Sequence, residues 1–262
     1  MKKFTLMELL IVVAVIAILL SLLLPSLSKA RDRAKTAVCL SNQKQITVAI
    51  QMYSSRYDNT LPRAGNSWAN ILGSKGYLNA PRVDKFDGSN LDVEVTTSFN
   101  PFHCPSGLTD KLSFHTKSNK WWWESYEDTH RPWRSGDSES EYSQTEFPAG
   151  YDVWYGVVGR AARTNNNWTN PIWRTVSDGS GWPKMLLIEN TSSAAAFHDG
   201  THHMHTFLGD QSRISARHNG NNFTNTAFYD GHAKTFLRSS VVAGATLNGT
   251  SDHPVIFKSV KN

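Results

Sequence analysis

Cysteine is scarce in this chain, with two in 262 residues. That excludes a disulfide-dense mini-scaffold and a four-cysteine zinc module. Charge is sparse too, at 19 % of residues, and the excess of 27 basic over 22 acidic side chains is mostly local. Such a distribution argues against a nucleic-acid partner. No Gly-x-Ser-x-Gly elbow occurs, so a nucleophilic hydrolase lacks its usual signature. There is no internal repeat, and no second long apolar run follows the first 24 residues. At 39 % hydrophobic residues the chain is too apolar to be disordered and too polar for a polytopic membrane protein.

What is present is concentrated at the start. After Lys2, Lys3 and Glu8, residues Leu9 through Leu20 carry no polar side chain; Ser21 interrupts, Leu22 to Leu24 resume, and Pro25 closes the run. As a helix, Phe4 to Leu24 is about 31 Å long, the hydrocarbon thickness of a bilayer. One membrane span is expected. A secretory signal cut near Ser26-Leu27-Ser28 is the competing reading. Glu8 argues against it, because a carboxylate in lipid costs about 3 kcal/mol at mid-membrane and demands a reason.

Beyond Pro25, Leu27, Ala30, Ala34, Ala37, Val38, Ile46, Ala49, Ile50, Tyr53 and Tyr57 recur mostly at spacings of three and four. Lys29, Arg31, Arg33, Lys35, Gln43 and Lys44 fall on the opposite side. The spacing predicts an amphipathic helix ending before Asp58-Asn59, so that residues 4–57 form one rod, half in lipid and half against a folded domain.

These residues resemble a known family. Lys2-Lys3-Phe4-Thr5-Leu6-Met7-Glu8-Leu9-Leu10 and the apolar run are similar to the prepilin-type cleavage and methylation motif of type IV pilins and type II secretion pseudopilins. Ala30-Arg31-Asp32-Arg33-Ala34 and Cys39 to Ile46 are similar to a large-domain subgroup abundant in Planctomycetes and Lentisphaerae relatives, which ends in a His-x9-Asp-Gly signature. The resemblance is specific over about 60 residues. It implies a leader of residues 1–3, cleavage between Lys3 and Phe4 by a prepilin peptidase, and N-methylation of Phe4. Lys3 stands where the family usually has Gly.

The resemblance further implies that Glu8 neutralises the Phe4 ammonium of a neighbouring subunit, and that an assembly ATPase and a secretion platform are partners. It places an exported domain, residues 58–262, outside an inner membrane crossed once. The basic residues flanking the span (Lys29, Arg31, Arg33 and Lys35 against Lys2 and Lys3) would by themselves orient it the other way. Export, as the motif implies, is the orientation adopted here.

The expected fold is α+β and pilin-like, the N-terminal helix lying on an antiparallel sheet with long loops. Trp68 to Leu78 reads as a short helix ending near Gly76, and Pro105 to Gly150 as long loops with short strands. Tyr151 to Gly159 and Lys184 to Glu189 read as buried strands. Thr224 to Tyr229 and His232 to Leu237 read as a hairpin closed by a two-residue Asp230-Gly231 turn with positive φ at both positions.

Chemistry-bearing candidates are few. His198, Asp199, His202, His203 and His205 fall within eight positions and could ligate a transition metal, although no helical metal motif frames them. No cofactor is expected; calcium, which some pseudopilins hold in C-terminal loops, has Asp210 and Asp230 as candidates by type. His218 with Asp230-Gly231 is similar to the subgroup signature but with 11 intervening residues. The favoured reading there is a hairpin turn plus a histidine bonded to a neighbouring loop. Cys39 and Cys104 are either a disulfide tethering helix to domain or two buried thiols. Trp121, Trp122, Trp123, Trp133, Trp154, Trp168, Trp173 and Trp182 are either core filler or a sugar-stacking platform. The functional expectation is a structural filament subunit and not an enzyme. The alternative is an exported lectin-like surface protein using the same export route.

Overall fold

A computed structural model describes residues 4–62, 68–83, 86–87, 99–109, 133–136, 146–147, 150–157, 163–164, 167–168, 184–188, 191–200 and 214–241. In chain order the elements are α1 (Leu6–Arg56), α2 (Trp68–Ser74), β1 (Phe86–Asp87), β2 (Trp133–Gly136), β3 (Glu146–Phe147), β4 (Gly150–Val153), β5 (Tyr155–Val157), β6 (Arg163–Thr164), β7 (Asn167–Trp168), β8 (Ala195–Asp199), β9 (Phe223–Phe228) and β10 (Ala233–Leu237). The main sheet is antiparallel, in the order β10-β9-β8-β5, and β2-β4, β1-β3 and β6-β7 form separate pairs. A long helix against an antiparallel sheet makes the fold α+β.

Helix α1 is continuous for 51 residues, about 77 Å, and runs through Pro25. Its start is a capping box. Thr5 Oγ1 accepts from the Glu8 N–H at 3.2 Å, while Glu8 Oε2 accepts from the Thr5 N–H at 2.9 Å and the Thr5 hydroxyl at 2.8 Å. Thr5-x-x-Glu8 therefore satisfies donors that a helix end otherwise leaves orphaned. From Phe4 to Ala34 every residue is exposed, and the helix is long and apolar enough to cross a membrane.

Burial begins at Cys39 and follows Gln43, Ile46, Thr47, Ala49, Ile50 and Ser54, one stripe of the helix. This corrects the expected stripe in two ways. Leu27, Ala30, Ala34, Ala37 and Val38 stay exposed, because the domain first meets the helix at Thr36, on another face, and full burial begins at Cys39. Gln43, expected on the polar side, is fully buried because the sheet beneath it offers polar partners.

The core lies between α1, α2 and the helix-facing side of the sheet, where Trp68, Phe102, Trp154, Tyr155 and Phe197 are buried. Trp68 packs at a tilt against Phe197 and meets Phe102 edge-on. A second cluster (Ala195, Ile214, Phe228, Phe236, Val241) covers the opposite side.

Three further expectations change. The segment expected as one strand from Tyr151 is broken at Trp154, so that β4 pairs with β2 and β5 with β8. Of the segment expected as a strand from Lys184 to Glu189, the described residues 184–188 hold a 3-10 turn, Met185–Leu187, with Leu186 68 % exposed. The β9–β10 connection is also not a two-residue turn. Phe228 N–H donates to the His232 carbonyl, Gly231 N–H to the Phe228 carbonyl, and Gly231 has φ +98° while Asp230 keeps an ordinary φ. A three-residue loop closed by a glycine bulge results. Trp68–Ser74 is helical, ended by Gly76 at φ +74°. The reading of Pro105 to Gly150 falls mostly outside the described residues.

Candidate functional site

Among the described residues, a densely hydrogen-bonded polar cluster lies where α1 crosses the sheet. Alternation along the strands sends Asp199, Asn225 and Thr235 to the helix-facing side as a row across β8, β9 and β10. Thr235 is opposite Asn225 in the register, and its hydroxyl donates to Asn225 Oδ1 at 2.7 Å. The Asn225 N–H donates to Asp199 Oδ2 at 2.7 Å, and Gln43 Nε2 donates to Asp199 Oδ1 at 3.1 Å.

His218 completes the cluster. It precedes a turn in which Asn219, Gly220 and Asn221 all have positive φ, which asparagine and glycine tolerate. Backbone bonds in both directions between His218 and Phe223 hold it at the mouth of β9. Its Nε2 lies 2.9 Å from Asp199 Oδ2, and neither side chain has any solvent exposure. The same nitrogen is 2.9 Å from Asn225 Nδ2, and Nδ1 faces Thr36 Oγ1 on α1 at 3.3 Å. Thr36 gives its own proton to the Asp32 carbonyl, so its oxygen is the acceptor of an Nδ1–H.

Beside this pair is a disulfide. Cys39 and Cys104 are bonded with Cα atoms 5.2 Å apart, and Cys104 Sγ lies 3.7 Å from His218 Nε2. The Cys104 loop is fixed from both flanks, since the His103 carbonyl accepts from Asn42 Nδ2 at 2.7 Å and from the buried Tyr155 hydroxyl at 3.1 Å. Burial drives the Tyr155 hydroxyl well above the usual phenol range. The His103 ring packs edge-on against Trp154, and burial, reinforced by Arg217, pulls it down to about 4. Helix, loop and sheet are thus bolted together by one covalent bond and one buried polar row.

The sequence candidates distribute as follows. His218 does not meet Asp230; its carboxylate partner is Asp199. Asp230 sits in the exposed β9–β10 turn, where Oδ1 accepts from the His232 N–H at 3.1 Å and lies 2.6 Å from its Nδ1. Gly231 supplies the positive φ of that turn, and a Cβ at this position would lie 3.4 Å from the Gln51 amide nitrogen, which donates to the Tyr229 carbonyl. The turn therefore accounts for Asp-Gly, while the histidine belongs to the helix junction.

His198 is buried with Nδ1 3.0 Å from the Asp199 carbonyl, and its neighbour Asp199 serves the polar row. His202, His203, His205 and Asp210 lie outside the described residues, as do Lys3, Trp121, Trp122, Trp123, Trp173 and Trp182; Trp133 and Trp168 are described through their backbone alone. Trp154 is fully buried, with Nε1 donating to the Leu108 carbonyl, and so belongs to the core instead of a platform.

Sequence reasoning missed the capping role of Glu8 and the inward placement of Gln43, Asn225 and Thr235. The first was readable from Thr5-x-x-Glu8, and the others had no local signal. No family model matches the chain, and no curated protein or solved structure is similar to it.

Proposed function

We propose that this chain is a pilin-like structural subunit of a type II secretion or type IV pilus-related filament, held in the inner membrane by α1 before assembly. The observation that carries the reading is the division of labour within one helix. Its N-terminal part is apolar and wholly exposed, while its C-terminal part is locked into the sheet domain by Gln43 and the Cys39–Cys104 bond. A rod of this kind transmits position from a lipid or subunit contact to an outward domain without a flexible linker.

In this reading a prepilin peptidase cleaves between Lys3 and Phe4, Phe4 is N-methylated, and Glu8 pairs with the Phe4 ammonium of a neighbour. Glu8 has a second reason to exist, since it caps its own helix through Oε2. Glu8→Gln and Glu8→Ala separate the two roles. A glutamine retains the cap, as Gln serves at that position of a capping box, but removes the charge.

Filament incorporation is the assay, alongside intact-mass and N-terminal analysis of protein from the producing cell. A chain beginning at methylated Phe4, and loss of incorporation in both variants, is the expected result. Normal incorporation of Glu8→Gln would defeat the ion pair, and a chain starting at Met1 or after Ser28 would defeat the whole reading.

A further inference from the structure

The buried cluster holds more ligand chemistry than a tether needs. Cys39 Sγ, Cys104 Sγ and His218 Nε2 all lie within 4.8 Å of one another, all three residues are buried, and Asp199 Oδ2 is 2.9 Å from the same imidazole nitrogen. Two sulfurs and one imidazole nitrogen meeting from three chain segments supply three donors of a tetrahedral zinc site, and the Asp199 carboxylate, outside that group but beside the same nitrogen, is the fourth donor within reach of a small rotation.

We propose that the reduced chain binds one zinc ion here, through Cys39, Cys104, His218 and Asp199, so that the same junction is closed by a disulfide when oxidised and by a metal when reduced. The proposal stands apart from the filament reading, because it concerns only how the helix is fastened to its domain.

The surroundings favour it. A zinc-bound histidine needs its other ring nitrogen held, and Nδ1 faces Thr36 Oγ1. A ligating carboxylate needs hydrogen bonds of its own, and Asp199 has Gln43 on one oxygen and the Asn225 N–H on the other. Two thiolates and a carboxylate around a divalent ion leave one net negative charge. Arg217, buried and adjacent to His218 in sequence, brings a positive charge to this part of the core, its Nη1 donating to the Trp154 carbonyl at 3.0 Å.

The chemistry balances as follows. A dithiol delivers two electrons with its own two protons, or a phosphine delivers two electrons while water gives the two protons and the oxide's oxygen; the S–S bond breaks and two thiols form. The phosphine leaves as its oxide, or the dithiol as its own disulfide. Binding then exchanges the two thiol protons for the metal, with two new metal–sulfur bonds.

The test uses the full chain in detergent micelles, reduced with a phosphine, which competes for metal less than a dithiol does, and titrated with Co²⁺ as a coloured stand-in for zinc. The expected result is one cobalt per chain, with ligand-field bands of a tetrahedral site and thiolate-to-cobalt charge transfer. Zinc should displace the cobalt. The oxidised chain and the Cys39→Ala/Cys104→Ala variant should show neither band. Gln43→Leu, which touches Asp199 and not the ion, should weaken affinity about tenfold.

Reduced protein that keeps its helical circular dichroism and takes up no cobalt overturns the proposal. So does reduction that unfolds the domain without recovery on adding metal. Uptake undiminished in the double cysteine variant overturns it as well.

Discussion

Asp199→Ala should be among the most damaging substitutions in the domain, although its immediate sequence marks it only as one member of a histidine-rich cluster. The carboxylate accepts from Gln43 Nε2 and the Asn225 N–H and faces His218 Nε2, with no solvent reaching either member of the last pair. Removing it leaves a helix donor, a strand donor and an imidazole facing an empty space. A buried donor left without a partner costs about 1–3 kcal/mol, and stripping one partner from a buried pair costs about 3–5 kcal/mol. The terms overlap, so a loss of about 4 kcal/mol is expected, against less than about 1 kcal/mol for Asp230→Ala in its exposed turn.

Urea unfolding of the detergent-solubilised chain, followed through the buried Trp68 and Trp154, measures both. With a slope of about 2 kcal/mol/M, the Asp199 variant should unfold roughly 2 M earlier. A double-mutant cycle with His218→Ala should give a combined loss smaller than the sum, since the two share one interaction. If Asp199→Ala shifts the midpoint no more than Asp230→Ala, the polar row does not fasten the helix and the reasoning fails.

Other consequences can be checked alongside. The Cys39→Ser/Cys104→Ser variant opens a loop with a sequence separation of 65 and should lose about 4 kcal/mol on the chain-entropy account, read as an earlier urea midpoint without added metal. Gly73→Ala in α2 would put a Cβ 2.4 Å from Tyr151 Cζ, and should cost about 1–3 kcal/mol as the ring is displaced. Gly231→Ala should cost about 1–2 kcal/mol from its φ of +98° alone, since its nearest neighbour is the mobile end of Gln51 at 3.4 Å; thermal unfolding would report it. Alkylation before and after reduction, followed by mass spectrometry, should label Cys39 and Cys104 only after reduction.

Local patterns were readable where a short window contains the whole cause. The apolar run from Leu9, the α2 segment ended by Gly76, and the β9–β10 hairpin each announce themselves within a dozen residues. Even there the turn was misread, because Asp-Gly fits both a two-residue loop and a three-residue loop with a glycine bulge, and only the register decides. The stripe on α1 was half legible. Spacing identified Ile46, Ala49 and Ile50, but how far the domain climbs the helix is not written in the helix.

The His218–Asp199 pair was invisible for a physical reason. Two residues 19 apart in sequence meet because a turn and two strands fold them together, whereas Asp230, nearer to His218 in the chain, points into solvent at the far end of the hairpin. Glu8 shows the opposite failure. Its cap is written in the four residues Thr5-x-x-Glu8, and the same carboxylate also carries the cost of a charge in lipid.

The bare stretch of α1 from Pro25 to Ala34, before Thr36 meets the domain, spans 10 residues, or about 15 Å. It works as a lever arm. A sideways push on the domain is multiplied into torque at the greasy end of the rod, and the greatest bending falls near Pro25, where the helix is short of one backbone donor. With the other end clamped by Cys39 and Gln43, the proline is the point of the rod at which such a load would be relieved first.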